Sequence, residues 1–237
     1  MGERGKQVRA AIEAVARHFA ARWEERAAPP DAYIRLAGQR IALDVTVIKH
    51  THRAGPCPRP RVRFDRVALR LMNGLHAALQ EAVPEGKTVL VTVTAPIRLP
   101  AKTAAALESK IREHLAHRSA QWALQDTLCG NQVRIWVTKG LAKTTPALLG
   151  FAHHPDTDPE ALLRWTQSVL PTLSAAAATR RPQTHTGARW LVLTAADGRA
   201  GIEMYRYVCS QLLISADVKK IVMVWADGAV QTLRDAP

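Results

Sequence analysis

The sequence predicts an α/β fold, a mixed β-sheet flanked by helices on both faces. Two observations predict it. Residues 30–47 have the alternation and turn chemistry of a β-hairpin, and beyond them single apolar, β-branched runs take turns with segments of helical periodicity.

The elements follow in order. Residues 4–27 read as a helix, because Val8, Ile12, Val15, Phe19 and Trp23 recur at three- and four-residue spacing. Pro29-Pro30 stop it and start the hairpin, whose turn is placed at Gly38-Gln39. Residues 49–60, with three prolines and a glycine, read as a loop. A second helix is expected over 64–82, with Val67, Leu71, Leu75, Ala78 and Leu79 on its apolar face, and a buried strand over Lys87–Thr94. Then come a helix at roughly 101–126, a strand at 132–138, a loop to about 158 and a helix at 159–178. A strand at 189–194, a helix at 201–213, a strand at 220–226 and a last strand at 230–233 after the Asp227-Gly228 turn complete the chain. The length suits one large α/β domain or two small ones. No stretch stands out as an interdomain linker, so a single domain over residues 1–237 is expected.

Composition narrows the function. No apolar run is long enough to span a membrane, and the N-terminus leads into an amphipathic helix without a signal-peptide core. Cys57, Cys129 and Cys209 are few, odd in number and far apart, which points to free thiols in a reducing cytoplasm. The net charge of +13 attracts polyanions, of which nucleic acid is the commonest. Arg53, Arg59, Arg61, Arg63, Arg66 and Arg70 lie close together with only Asp65 opposing them. They are the candidates for phosphate contact, set against a plain solvated basic face.

The acids of the hairpin carry the candidate chemistry. A two-residue loop at Gly38-Gln39 sets Tyr33 opposite Asp44 and Asp31 opposite Thr46. Directly opposed residues share a face, so Asp31, Asp44 and Thr46 lie on one face, with the two acids diagonal at roughly 7–8 Å. Carboxylates so placed can share a divalent cation such as Mg²⁺ or Mn²⁺, one of whose waters can attack a phosphodiester. A three-residue loop would separate the acids onto opposite faces unless a bulge restored the phase. Glu13 and Glu24 share a stripe of the expected first helix, about three turns apart, and either could add a carboxylate.

Pro30-Asp31, a spacer, and Asp44-Val45-Thr46 resemble the PD-(D/E)xK motif of the restriction-endonuclease-like nuclease superfamily. The resemblance covers roughly residues 1–100 and implies a restriction-endonuclease-like core there, with residues 101–237 as a C-terminal α/β extension. It implies a metal-dependent nuclease acting on DNA sooner than RNA, with Asp31 and Asp44 binding metal and Glu13 or Glu24 assisting. Thr46 stands where the motif has Lys; it can orient a water but brings no positive charge. Arg66 or Arg70 on the second helix are the candidates to replace that lysine. Many such nucleases dimerise, and the sequence leaves the oligomeric state open.

Plainer readings stand beside this one. Asp31 after Pro-Pro is a common turn residue. Asp44, inside an apolar strand where Asp is disfavoured, could pair with Arg35 or Arg40 on a solvated face. The protein could then be a catalytically inactive nucleic-acid binder on the same scaffold, or a basic protein with an acidic protein partner. Gly86-Lys87-Thr88 mimics the end of a P-loop, but Glu81 stands where the first glycine is required. His153-His154-Pro155-Asp156-Thr157-Asp158 contains metal-ligand residue types, yet Asp158-Pro159-Glu160 is better explained as a helix start. The tryptophans fall at core periodicity and read as packing residues.

Overall fold

The computed structural model describes residues 3–25, 30–48, 61–116, 122–139, 145–178, 187–195 and 201–235. The chain is α/β, and the described residues form two mixed sheets flanked by five helices. It divides into two compact units: residues 1–53 with 168–237, and residues 54–167. The sequence predicts a single domain over residues 1–237, and residue 100, to which the resemblance extends the nuclease-like core, lies within the second unit. None of the described helices is long and apolar enough to cross a membrane.

The first unit is built on α1 (Glu3–His18), β1 (Arg22–Glu25), β2 (Ala32–Leu36) and β3 (Gln39–Ile48), with β9 (Arg189–Ala195), α5 (Ile202–Gln211), β10 (Val218–Val224) and β11 (Val230–Asp235) from the far end of the chain. The strand order is β1-β2-β3-β9-β10-β11. The β1-β2-β3 meander is antiparallel, β3, β9 and β10 run parallel, and β11 closes the sheet antiparallel. Ile12 and Val15 of α1 pack against Leu43, Val45, Trp190, Val192, Val222 and Val224. Alternation along β3 turns Asp44 and Thr46 to the opposite face.

The first helix is shorter than its apolar stripe implied. Ala20 takes a left-handed φ of 50°, its N–H donates to Arg17 O at 3.3 Å, and Ala21 N–H donates to Ala16 O at 2.8 Å. This is a Schellman ending with alanine where glycine is usual. The chain then turns into β1, so Phe19 and Trp23 still reach the same core, but Trp23 does so from a strand, and Glu24 beside it is exposed.

The hairpin turn is Ala37-Gly38, one residue earlier than expected, and both residues have positive φ (48° and 79°), as a primed two-residue turn requires. Tyr33 therefore faces Ala42, not Asp44, and Ala32 faces Leu43. The shift moves each partner by two residues and preserves side-chain parity.

The second unit holds β4 (Val62–Arg63), α2 (Arg66–Leu79), β5 (Lys87–Thr94), α3 (Pro100–Ala116), β6 (Trp122–Leu128), β7 (Asn131–Lys139) and β8 (Leu148–His153), in strand order β4-β8-β5-β7-β6. β6 occupies the tail of the expected third helix, and β8 lies in the expected loop before residue 158. Leu71, Met72, Leu75 and Leu79 of α2 with Leu107 and Ile111 of α3 cover Val89, Val91, Val93, Val133, Ile135 and Val137. Gly150 lets Met72 lie against β8: a Cβ there would meet Met72 Sδ at 2.3 Å. Asn131 locks the β6–β7 turn to the start of α3, accepting from Arg98 N–H at 2.7 Å and donating to Thr103 Oγ1 at 2.9 Å. α4 (Pro159–Ala178) carries the chain from the second unit back to the first.

Candidate functional site

The hairpin brings Asp31 to Asp44-Val45-Thr46, though in a way the sequence did not show. Pairing of β2 with β3 ends at Ala32–Leu43, which leaves the Val45 N–H beyond the ladder. Asp31, just before β2, accepts that N–H on Oδ2 at 2.7 Å. The carboxylate continues the ladder where backbone no longer can, as a part-buried donor demands.

Asp44 is held by a residue from the other end of the sequence. Its Oδ2 lies 2.7 Å from Nε of Arg189, a side chain only 1% exposed. Arg189 Nη1 lies 3.4 Å from Asp217 Oδ2, and Nη2 donates to Ala176 O at 2.9 Å near the C-terminal end of α4. One guanidinium thus receives two carboxylates and a carbonyl from the negative end of a helix. The expected partners of a solvated Asp44, Arg35 and Arg40, are engaged elsewhere. They oppose one another across β2 and β3, and Glu24 on β1 bridges the like charges, 2.9 Å from Arg35 and 3.4 Å from Arg40. Arg40 also stacks on the Tyr33 ring at 3.8 Å.

The remaining carboxylates do not complete a metal site. Glu24 is on an edge strand tied to those arginines. Glu13 is on α1, which covers the face opposite Asp44, and is ion-paired with Arg9 at 3.0 Å. Thr46 is half-buried in β3 beside Leu193 of β9. With Asp31 on a backbone amide and Asp44 on Arg189, this donor set does not fit Mg²⁺ or Mn²⁺, which take several carboxylate and water oxygens. Among the described residues no group of three or more His, Cys, Asp or Glu side chains is placed to hold a metal ion.

The basic cluster lies in the second unit. Arg53 and Arg59 fall outside the described residues. Arg61 pairs with Asp156 at 2.9 Å, and this hydrogen bond holds the Asp156 carboxyl below its usual range. Arg63 pairs with Asp65 at 3.1 Å. Asp65 is also the N-cap of α2, accepting from Val67 and Ala68 N–H groups at 3.1 and 3.0 Å. Arg66 and Arg70 are exposed and make no ion pair among the described residues. They follow the cap in the first turns of α2, which has no acidic residue in its first turn. Arg66, in that first turn, opposes the helix dipole with the Asp65 cap carboxylate beside it, and Arg70 lies a turn further on, beyond the dipole's reach.

Among the described residues His153 and His154 belong to no group placed to hold a metal ion. His153 is 3% exposed, with Nδ1 2.8 Å from His154 O, and burial pushes its pKa down. Asp158 accepts Glu160 N–H at 2.9 Å, as expected of a helix start.

Sequence reasoning missed Arg189 and Asp217. A signal was present: Arg189 heads the apolar run Trp190–Leu193, as Asp44 interrupts Ile41–Val47. Two opposite charges, each misplaced in its own buried strand, are candidates for one another. Comparison with protein-family models, with curated proteins and with solved structures returned no match.

Proposed function

We propose that this chain is a nucleic-acid-binding protein, with DNA the favoured ligand, in which the hairpin acids serve the sheet. Arginines around the start of α2 contact phosphate. The observation that carries this reading is Arg66 and Arg70, one turn apart on α2, both exposed and without an ion pair among the described residues. Two exposed guanidiniums on one face of a helix can each meet a phosphate. The net charge of +13 supplies the long-range attraction. Contacts of this kind read backbone without sequence and weaken with salt.

Binding of labelled DNA across a salt series tests it. Arg66→Glu with Arg70→Glu should weaken binding and flatten the log–log salt dependence by about two. An unchanged slope would remove α2 from the interface.

A second reading, metal-dependent phosphodiester cleavage as the PD-(D/E)xK resemblance implies, draws on one observation: Asp31 lies beside Asp44-Val45-Thr46. Plasmid nicking with Mg²⁺ or Mn²⁺, abolished in both Asp31→Asn and Asp44→Asn while the fold persists, would replace the first reading with this one. Metal-independent binding without nicking is the expected result.

A further inference from the structure

The notch beside the basic cluster has a second chemistry that phosphate contact leaves unused. Its lining combines Arg63, Asp65 and Arg66 with Val67, Pro96 and Ile97. Val67 is 46% exposed, and Leu99, a short way along the same segment, is 58% exposed. These are two of the three large hydrophobic side chains most exposed among the described residues; the other is Leu213. The notch continues through Arg66 onto a shallow outer face of α2 formed by Leu69, Arg70, Asn73 and Gly74. At Gly74 an added Cβ would meet nothing within 4 Å, so this end of the track is open.

The electrostatics divide the track. Phosphate cannot settle on the amides at the start of α2, because Asp65 already occupies them and its carboxylate repels an anion. Anionic groups are therefore directed outward to Arg66 and Arg70, four residues apart, about 6 Å along the axis. The apolar floor is left for something uncharged that arrives attached to those anions. A duplex presents phosphate and sugar outward and keeps its base faces stacked; a single strand offers them.

We propose, resting on the phosphate-binding reading above, that this notch seats an unstacked base of single-stranded nucleic acid against Val67, Pro96 and Ile97, while the flanking phosphates lie on Arg66 and Arg70. An acidic protein segment with an apolar anchor has similar chemistry. The single strand is favoured because it carries a charge at every link of its backbone, so whichever base is seated has flanking phosphates to meet Arg66 and Arg70.

The test uses the full chain and three labelled DNA ligands of equal length at one low salt concentration: a mixed-sequence single strand, the same strand carrying abasic sites, and the duplex. The expected result is roughly five- to tenfold tighter binding of the intact single strand than of either other ligand, about what burial of one small apolar contact supplies. Val67→Gln, an exposed and uncharged change, should remove that preference and leave duplex binding as it was. Arg66→Glu should weaken all three. Equal affinity for all three ligands in the wild type would overturn the base-seating inference and leave phosphate binding standing. No binding of any of them, with capture of an acidic peptide such as a Glu- and Leu-containing 12-mer, would overturn both and assign the notch to a protein partner.

Discussion

In the first unit an arginine lies inside the protein with Asp44, Asp217 and a helix carbonyl gathered around it; in the second, Arg66 and Arg70 stand on the exposed face of α2 and make no ion pair among the described residues. The residue type is the same and the surroundings decide its use. A guanidinium 1% exposed must have its charge met, so Arg189 fixes where β3, β9 and the end of α4 lie within their unit. An exposed guanidinium costs almost nothing unpaired and stays available to a ligand. Charge counted along a sequence does not separate these cases; strand pairing and burial do.

The contrast can be broken most decisively at Arg189. Arg189→Ala leaves Asp44 facing a hole with no counter-charge and should lower unfolding free energy by about 3–5 kcal/mol, read as a fall in the urea midpoint at constant slope. The double change Arg189→Met with Asp44→Leu should recover most of that loss, because it removes both charges together. If the single variant is as stable as wild type, the inward arginine is no anchor.

A smaller effect is expected at Asp31. Asp31→Ala strands the Val45 N–H and should cost about 1–3 kcal/mol, the penalty for an unsatisfied part-buried donor. Loss of hydrogen-exchange protection at Val45, with Val192 and its neighbours unaffected, would locate the damage.

His153 extends the comparison to pH. Its folded pKa lies below the ordinary 6.5, chiefly because burial disfavours the charged ring. As pH falls, the unfolded chain takes up the proton first. The stability that goes with a neutral His153 is full above about pH 6.5 and is lost as pH drops from there through the folded value. Stability measured between pH 7.5 and 5 should fall by at most about 1.4 kcal/mol per pH unit through this group. His153→Gln should remove that share of the slope; a slope identical in both proteins would show that His153 does not couple to folding.

The smallest expected change is at the outward arginines. Arg66→Ala with Arg70→Ala should leave unfolding free energy within about 0.5 kcal/mol of wild type while DNA binding weakens. A large stability loss there would erase the distinction between the two regions.

Much of the fold was legible because long elements announce themselves. β5, α4 and β9 fall where periodicity put them, and the Asp227-Gly228 turn forms with Gly228 at φ 78°. What escaped has identifiable physical reasons. α1 stops at a left-handed Ala20, and no glycine marks the spot. β6 (WALQDTL) has the alternation of a half-buried strand but follows directly on an Ala-rich helical pattern. β8 is a five-residue run without a polar side chain, closed by His153 and buried throughout, which carries no period at all. At the site, the sequence singles out Asp31 and Asp44 as metal-binding acids; the structure places Asp31 on the Val45 N–H and Asp44 beside Arg189. Their partners, Val45 N–H and Arg189, depend on where a ladder ends and on a strand that arrives from the other end of the chain.

That arrival sets the order in which the protein can be made. The edge of β3 that pairs with β9 joins residues as far apart as Leu43 and Trp190, and the whole second unit is threaded between them. During synthesis the hairpin emerges first and its apolar edge has no mate until roughly 150 further residues have followed, on the order of ten to thirty seconds at ordinary elongation rates. The second unit, contiguous in sequence, can close during that wait. A nascent chain halted before residue 189 would therefore present a folded second unit beside an unpaired strand edge, the state most exposed to chaperones and to aggregation.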